Sequence, residues 1–316
     1  MYGVWEYIEV LGDTVSNLEG RVRKAQANVK LLDGILATWV QKPIFERRDG
    51  KKDTLLSLED KAERLKKVYS CMERDGAKVQ AMVEENKLLL KVPASSRHWD
   101  RYLLFLDHMI TRGLVDSVSR SLFYLLDNCE SRSNQFPLLE ARLELQDMHL
   151  IIRPSPEELQ ALAEEIVSDI LHVSTFIPRL ATHVHATYLP DLQKDEEVVG
   201  LKETLLERFQ VAANRTAEHR DQFLQHQALW KDRRRDILDK FLTSGDNNTQ
   251  PSLSQFKQQI DLYEALYTEL EGIETTVVFD KWFRLDVRPF KHSLLENTKK
   301  WARMYKQHLI SQVTER

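Results

Sequence analysis

The sequence predicts a mainly α-helical protein: an elongated array of antiparallel bundles of long helices, with one small β-hairpin near residues 138–153. Three observations support this fold class. The 316 residues include only 10 glycines and 9 prolines, about half the share that is usual in globular domains. Apolar residues recur at alternating spacings of three and four over several long stretches, which is typical of amphipathic helices. One short stretch alternates apolar and polar residues instead, which is typical of strands.

The composition excludes several classes of protein. With 45 Lys and Arg against 49 Asp and Glu, the formal net charge is −4, so no chain-wide positive field attracts nucleic acid or a membrane surface. No apolar run approaches the roughly 18 residues of a membrane span. The two cysteines, Cys71 and Cys129, are too few to frame a disulfide-rich secreted fold. We therefore expect a soluble, intracellular, helical protein.

Residues 1–92 are predicted to form a long helical hairpin with heptad seams. In the first helix, apolar residues follow one another at spacings of four and three without a gap: Val4, Ile8, Leu11, Val15, Leu18, Val22, Ala25, Val29, Leu32, Leu36 and Trp39. A second stripe of this kind covers residues 55–83, and only the turn after Pro43 separates the two. Because two long helices joined by a turn pack against each other, we expect an antiparallel pair.

The first stripe allows two kinds of partner. Four of its five a positions are β-branched and most d positions are Leu, which is the preference of a parallel two-stranded coiled coil. The flanking positions form no opposite-charge pairs, however, and include the apolar Tyr7, Ile35 and Val40. This wider apolar face favours an intramolecular bundle. In a bundle, an Asp in place of Leu18 would enter a packed seam and cost several kcal/mol; an exposed Leu18 would favour the coiled-coil dimer.

Residues 93–154 are predicted to form a helical segment followed by the hairpin. The apolar stripe of the helix covers residues 99–125 and is interrupted at Gly113. Apolar and polar residues then alternate over 139–152, which predicts two antiparallel strands. Because an isolated hairpin is only marginally stable, we expect it to lie on the neighbouring helices.

Residues 155–250 are predicted to form a long-helix bundle. Ser155, Pro156 and Glu158 have the pattern of a helix start, with Ser as N-cap, Pro as first helical residue and Glu closing a capping box. Pro178 should kink or end this helix. One further long helix is expected over about 196–242.

Residues 251–316 are predicted to contain a helix, an extended segment over 277–287 and a C-terminal basic helix. Pro289 suits the first turn of that last helix. We expect the rings of Trp282, Phe283 and Phe290 to anchor the extended segment, because it cannot satisfy its backbone by helical hydrogen bonds.

Charge is unevenly distributed along the chain. Residues 281–316 contain nine bases and three acids, whereas residues 154–200 contain nine acids and two bases. The basic segment could be a patch for an acidic partner such as a tubulin surface. The simpler interpretation is that these charges are solvated and paired within the fold.

No catalytic, cofactor-binding or metal-binding residue is predicted. The ten glycines do not allow a P-loop or a dinucleotide-binding motif to be written anywhere in the chain, so we expect that the isolated chain does not hydrolyse nucleotide. The cysteines lack the spacing of a zinc site. His183 and His185, with Asp191 downstream, would need converging partners to hold a metal, and an ordinary polar loop is the simpler interpretation.

The last third of the chain resembles a known protein family. The residues that carry the resemblance are Phe279-Asp280, Trp282-Phe283-Arg284, Asp286-Val287-Arg288-Pro289-Phe290-Lys291, Trp301 and Lys306-Gln307-His308-Leu309. This pattern is similar to the N-terminal tail of dynein heavy chains, with the ciliary outer-arm β-type chains most similar. Shorter pieces such as Ile177-Pro178-Arg179-Leu180-Ala181 extend the resemblance over nearly the whole chain. The sequence departs from the family at Lys231-Asp232-Arg233, where an acidic pair is usual.

The resemblance implies a non-catalytic tail or stem segment of a ciliary dynein heavy chain. Such a segment is a structural spacer and a subunit-docking surface that links the assembly end to the ATPase motor for microtubule-based movement. ATP would then bind only in the parent motor. The implied partners are dynein intermediate and light chains and a neighbouring heavy chain, and the implied location is the cytoplasm, the cytoskeleton and the axoneme of the cilium.

Two other functions remain open at this point. The first is an unrelated coiled-coil scaffold or tethering protein, which extension of the gene past Arg316 into ATPase modules would decide against. The second is a small helical enzyme whose site is assembled from residues distant in sequence, which a pocket lined by converging polar groups would support.

Overall fold

The computed structural model describes residues 2–45, 58–93, 95–130, 139–181, 186–243, 251–279 and 283–314. The helices of this part are α1 (Tyr2–Gln41), α2 (Leu58–Leu90), α3 (Arg97–Glu130), α4 (Pro156–His172), α5 (Leu189–Leu192), α6 (Glu196–Gln222), α7 (Ala228–Lys231), α8 (Arg234–Thr243), α9 (Leu253–Glu271) and α10 (Arg288–Thr314). The strands are β1 (Leu139–Gln146), β2 (His149–Arg153), β3 (Thr276–Phe279) and β4 (Phe283–Asp286). The predicted mainly α-helical fold with a hairpin near 138–153 is confirmed.

The chain divides into two compact units, each built from two separate stretches of sequence. The first unit contains Met1–Ser131 and Ala163–Glu207, and the second contains Arg132–Leu162 and Arg208–Arg316. Neither unit could have been delimited by a single linker in the sequence.

In the first unit, the second half of α1 packs antiparallel to α2. Asn28 Nδ2 donates to Asn86 Oδ1 at 2.8 Å, and eleven residues further on Trp39 Nε1 donates to Asp75 Oδ2 at 3.2 Å. As the residue number rises along α1, the number of the residue it contacts in α2 falls, so the two helices are antiparallel. The predicted antiparallel pairing is confirmed for this half of the helix only.

α3 runs beside α1 without a break at Gly113, so the predicted interruption is wrong. A Cβ at Gly113 would lie 3.1 Å from Leu36 Cδ2 and 3.2 Å from Leu36 Cβ. Four residues later, Ser117 Oγ donates to the carbonyl of Trp39 at 3.0 Å. The glycine therefore lies at a close contact between α3 and α1, and the helix accepts the propensity cost because tertiary packing outweighs it.

α2 also contacts the end of α4 and the segment that follows it. The ring of Tyr69 stacks on Phe176 with centroids 4.6 Å apart, and its hydroxyl donates to the carbonyl of Asp169 at 2.9 Å. Burial, with a smaller contribution from the Asp169 carboxylate, raises the pKa of Tyr69 to about 12. Gly76 faces Ile177, where an added Cβ would be 3.5 Å from the Ile177 Cα. α2 is thus covered on two sides.

In the second unit, the predicted hairpin is present but does not pack alone on helices. β1 and β2 are joined by Asp147 (φ 47°) and Met148 (φ 66°), which gives a tight turn with two positive φ values and no glycine. β1 also pairs in parallel with β4, so that the described strands form one four-stranded sheet in the order β2-β1-β4-β3. A second hairpin from the C-terminal third therefore completes the sheet.

The extended segment predicted at 277–287 is this second hairpin, and it leads directly into α10. Phe290 is fully buried against Phe223 and Trp230, with ring centroids 5.2 and 5.6 Å away. The anchoring predicted for Phe290 is therefore confirmed. Trp282 and the side chain of Phe283 lie outside the described residues.

The single long helix predicted over 196–242 is wrong, because the helix breaks after Gln222. A 3-10 turn and the short α7 follow, and Asp232 is extended at ψ 141°. An ended helix leaves carbonyls without helical partners. Here Trp301 Nε1, from α10, donates to the carbonyl of Leu229 at 3.1 Å, so the break is stabilised by a contact from a helix 72 residues away.

Candidate interaction surface

The first half of α1 exposes its apolar residues. We call this set the N-terminal stripe; it contains Val4, Trp5, Tyr7, Ile8, Val10, Leu11, Val15, Leu18 and Val22, all exposed. Leu18 is 53% exposed, whereas Leu32, two heptads further along the same seam, is 2% exposed. The prediction that Leu18 lies in a packed intramolecular seam is wrong, because the described residues of the chain place nothing against it.

The stripe is exposed because the intramolecular partners of α1 end first. The Arg21 side chain donates to the carbonyl of Leu89, which is in the last turn of α2. Burial of the seam begins one turn later, at Ala25. At 1.5 Å per residue, α1 therefore extends about 28 Å past the end of α2.

Buried polar residues fix the register of α1 on α2. Asn86 is 2% exposed; its Nδ2 donates to Tyr102 Oη at 2.7 Å, and its Oδ1 accepts from Asn28. Asn28 also donates to Glu85, and Lys24 Nζ lies 2.6 Å from the Glu85 carboxylate. Hydrogen bonds from Lys24 and Asn28 lower the pKa of Glu85. Because sliding α1 would leave these groups unpaired, α2 cannot shift to cover the stripe.

The other side of the exposed half carries charge. Glu6, Glu9 and Asp13 are exposed, and at 100° per residue they lie opposite the line from Ile8 to Leu18. This half of α1 is thus amphipathic, with acidic residues on one face and, on the other, an apolar face that has no intramolecular partner among the described residues. A contiguous apolar patch of this kind marks a protein interaction site.

A second polar cluster in the first unit is structural. Asp107 is 4% exposed and accepts from the backbone N–H of Leu180 at 3.0 Å, from that of Ala181 at 2.9 Å and from Tyr188 Oη at 2.5 Å. Burial, and then the hydrogen bond to Asp107, raises the pKa of Tyr188. The sequence contains one signal of this site, an acid between Leu106 and Ile110 on the apolar face of a helix, and that signal alone does not predict it.

The basic C-terminal helix forms a groove with α9 of about 400 Å³. The charges in it are largely paired within the fold. Lys306 pairs with Glu264, Lys299 Nζ lies 3.1 Å from Glu296, and Lys299 also lies over the ring of Tyr267 at 5.2 Å. These contacts favour the simpler interpretation of the basic segment.

Neither a metal cluster nor a membrane span is found in the part of the chain that the structure describes. No group of three or more His, Cys, Asp or Glu side chains there could hold a metal ion. No helix among those residues has an apolar stretch long enough to cross a bilayer. His183 and His185 lie outside the described residues.

Several known proteins are similar to this chain over nearly its whole length, and those described below are dynein chains. It is 37% identical over 332 residues to a protein named "Dynein beta chain, ciliary" of Tripneustes gratilla, and 33% identical over 333 residues to dynein axonemal heavy chain 9 of Homo sapiens. A flagellar outer-arm dynein beta chain of Chlamydomonas reinhardtii is 22% identical. The chain spans about 7% of the length of these relatives. No family model matches. The resemblance of the sequence to ciliary dynein heavy chains is confirmed.

Proposed function

This chain belongs to the axonemal dynein heavy-chain family, and from that premise we propose that it is a non-catalytic segment of the tail, or stem, of such a heavy chain. Membership in the family also removes the alternative of an unrelated coiled-coil scaffold. In this proposal the segment is a structural spacer and a docking surface between the assembly end and the ATPase motor of ciliary movement.

The observation that carries the proposal is the division of α1 into two halves. One half is buried by α2 and α3, and the other presents the N-terminal stripe outward in a register fixed by Asn28 and Asn86. One half of α1 belongs to a helix bundle and the other half extends beyond it. This arrangement is what we expect of a polypeptide that connects successive bundles.

The proposal assigns nucleotide hydrolysis to other parts of the parent heavy chain. The glycines of this chain are too dispersed for a phosphate-binding loop. The partners proposed for the segment are dynein intermediate and light chains and a neighbouring heavy chain. We place it in the cytoskeleton, at the axoneme of the cilium, because its relatives are ciliary, axonemal and flagellar by name.

The test is substitution of the stripe in the full-length heavy chain. We expect Leu11→Asp with Leu18→Asp to reduce incorporation of the heavy chain into axonemes, while the ATPase rate of the extracted motor is unchanged. Glu9→Gln with Asp13→Asn, on the opposite face, is the matched control and should incorporate normally. Normal incorporation of the stripe variant, or an equal fall in ATPase rate, would contradict the proposal.

A further inference from the structure

We infer that the N-terminal stripe is covered, in the intact heavy chain, by one amphipathic helix from another part of the same polypeptide. This inference rests on the proposed function and names the partner of the same surface. The occupant is a helical segment outside residues 1–316, with an uncharged apolar face and about five turns long, as the distance from Val4 to Val22 requires.

The first step is continuity with an interface that the structure shows. Six residues of the N-terminal stripe and four buried residues further along α1 belong to one heptad seam without a gap: Val4, Ile8, Leu11, Val15, Leu18 and Val22 are exposed, and Ala25, Leu32, Leu36 and Trp39 are buried. The second half of the seam is filled by helices packed along α1. The same residue types at the same spacing in the first half require the same kind of partner, because a seam at spacings of four and three matches a packed helix.

The second step is the low stability of this half of α1 by itself. Gly3, Gly12 and Gly20 lie within it, and a Cβ at any of them would meet nothing within 4 Å. Each glycine inside a helix costs roughly 1 kcal/mol relative to alanine. This half of α1 is weakened at three positions and exposes nine apolar side chains, so it needs a permanently bound partner. We therefore assign the covering helix to the folded structure of the full-length heavy chain.

The third step excludes a parallel pair with a second copy. A second α1 lying parallel on the stripe would continue straight past Val22, because the helix is unbroken to Gln41. Beyond that point the seam is already occupied by α2 and α3, as the bonds from Asn28 to Asn86 and from Ser117 to Trp39 show. The a and d residues alone would favour a parallel dimer, but the intramolecular bundle blocks it.

The fourth step concerns how the partner is selected. Charges at the positions flanking a seam normally set partner choice. Here Glu19 pairs with Arg23 of the same helix at 3.2 Å, and Arg21 is bonded to the carbonyl of Leu89. With no charge pattern left to distinguish partners, covalent connection is the remaining source of selectivity, since a tethered segment has an effective concentration of order mM. The chain covers only 7% of its relatives, so the parent has ample length to supply the segment.

Photo-crosslinking in purified dynein that contains the full heavy chain tests the inference. Benzoylphenylalanine would replace Leu11 or Leu18 on the stripe and, as matched control, Asp13 on the opposite face. We expect several-fold higher crosslinking from the stripe positions than from Asp13, and we expect mass spectrometry to identify peptides of the same heavy chain outside residues 1–316.

Other outcomes overturn the inference. Crosslinks to residues 4–22 of a second copy would show an antiparallel or swapped dimer, and crosslinks to another subunit would show a docking partner. Crosslinking at the Asp13 level would show an uncovered face. If the variant heavy chain is found in dynein but crosslinks elsewhere, only this inference fails; a purified heavy chain that is not part of axonemal dynein would contradict the proposed function instead.

Discussion

Single buried polar residues decide how the first unit is assembled. Asn86 and Asp107 each occupy a position where the helix pattern calls for an apolar residue, and each accepts or donates several hydrogen bonds. A buried polar group left without partners costs about 1 to 3 kcal/mol. Such residues therefore allow one arrangement of the helices and penalise the alternatives.

Asp107 gives the sharpest test at this scale. Asp107→Ala leaves two backbone N–H groups and the Tyr188 hydroxyl without their acceptor, so we expect it to lower the free energy of unfolding by about 3 kcal/mol or more. Tyr188→Phe removes only one of the three bonds and should cost about 1 kcal/mol. Urea unfolding of both variants measures this. Equal losses would mean that the backbone bonds to Asp107 contribute little.

Asp286 makes a pH-dependent contribution at the start of α10. Its carboxylate, 4% exposed as a residue, accepts from Arg288 Nε at 2.8 Å, Nη2 at 2.7 Å and N at 3.0 Å. The hydrogen bonds from the Arg288 side chain lower the pKa of Asp286. A folded-state pKa below the ordinary value of about 3.9 stabilises the fold above that value and ceases to do so as pH falls through the lowered pKa.

We therefore expect Asp286→Asn to destabilise the protein at pH 7 and to have a smaller effect at pH 2 to 3. Urea unfolding of wild type and variant across this range measures the difference. Arg288→Gln should show the same pH dependence, because it removes the other partner. A loss in Asp286→Asn that is constant with pH would contradict the assignment.

At the scale of elements, α1 shows that one helix can have two environments. The glycines of α1 and α3 also have different surroundings. Gly113 of α3 contacts Leu36 closely, whereas Gly20 of α1 has nothing near it. The same residue type is thus required by packing in one helix and is a propensity cost in the other.

We expect Gly113→Val to destabilise by about 1 to 3 kcal/mol, because the added atoms must displace the base of the Leu36 side chain. Gly20→Ala should stabilise by about 0.5 to 1 kcal/mol, because it improves helix propensity in open space. Thermal unfolding of the two variants is the measurement. A stabilising Gly113→Val would mean that α1 and α3 separate easily.

The two halves of the α1 seam should respond differently to the same substitution. Leu18→Asp should change the free energy of unfolding of the isolated chain by less than about 0.5 kcal/mol, as for exposed sites generally. Leu32→Asp, which buries a charge, should cost about 4 kcal/mol or more. Sedimentation of wild type and Leu18→Asp serves as control for self-association. A large loss in monomeric Leu18→Asp would show that the stripe is covered within the chain.

At the scale of the whole molecule, the second unit depends on pairing across a long stretch of chain. β1 and β4 are adjacent strands although about 140 residues separate them, and Arg284 Nη2 lies 2.6 Å from Glu140 Oε1 across the pair. Leu285 is fully buried opposite Ala141. The hairpin at 139–153 therefore needs the C-terminal third in order to be a stable sheet.

Leu285→Ala should consequently weaken β2, although Leu285 lies in β4 and β4 does not pair with β2. We expect a loss of about 2 to 5 kcal/mol for the buried site and faster hydrogen exchange in His149–Arg153. Val278→Ala, at an exposed position of β3, is the control. If β2 keeps its protection in Leu285→Ala, the first hairpin is stable without the second.

The sequence by itself determined the elements whose cause is local. Heptad spacing fixed α1 and α2, the Ser155 to Glu158 pattern fixed the start of α4, where Ser155 N donates to Glu158 Oε2 at 2.7 Å, and alternation fixed the hairpin. The resemblance carried by residues 279–309 identified the family. Each of these depends on residues within a few turns of one another, so a periodic pattern is enough.

Only the tertiary structure decided where each helix continues or breaks and which of its apolar residues are buried. It placed a close contact at Gly113 where the sequence suggested a break, a break after Gln222 where the sequence suggested a helix, and solvent at Leu18 where the seam continues unchanged. The physical reason is that a heptad pattern predicts that a helix has a packing partner but does not predict at which residue that partner ends. The partner helix α2 ends at Leu90, beside Arg21 of α1, because the register set by Asn28 and Asn86 places its end there.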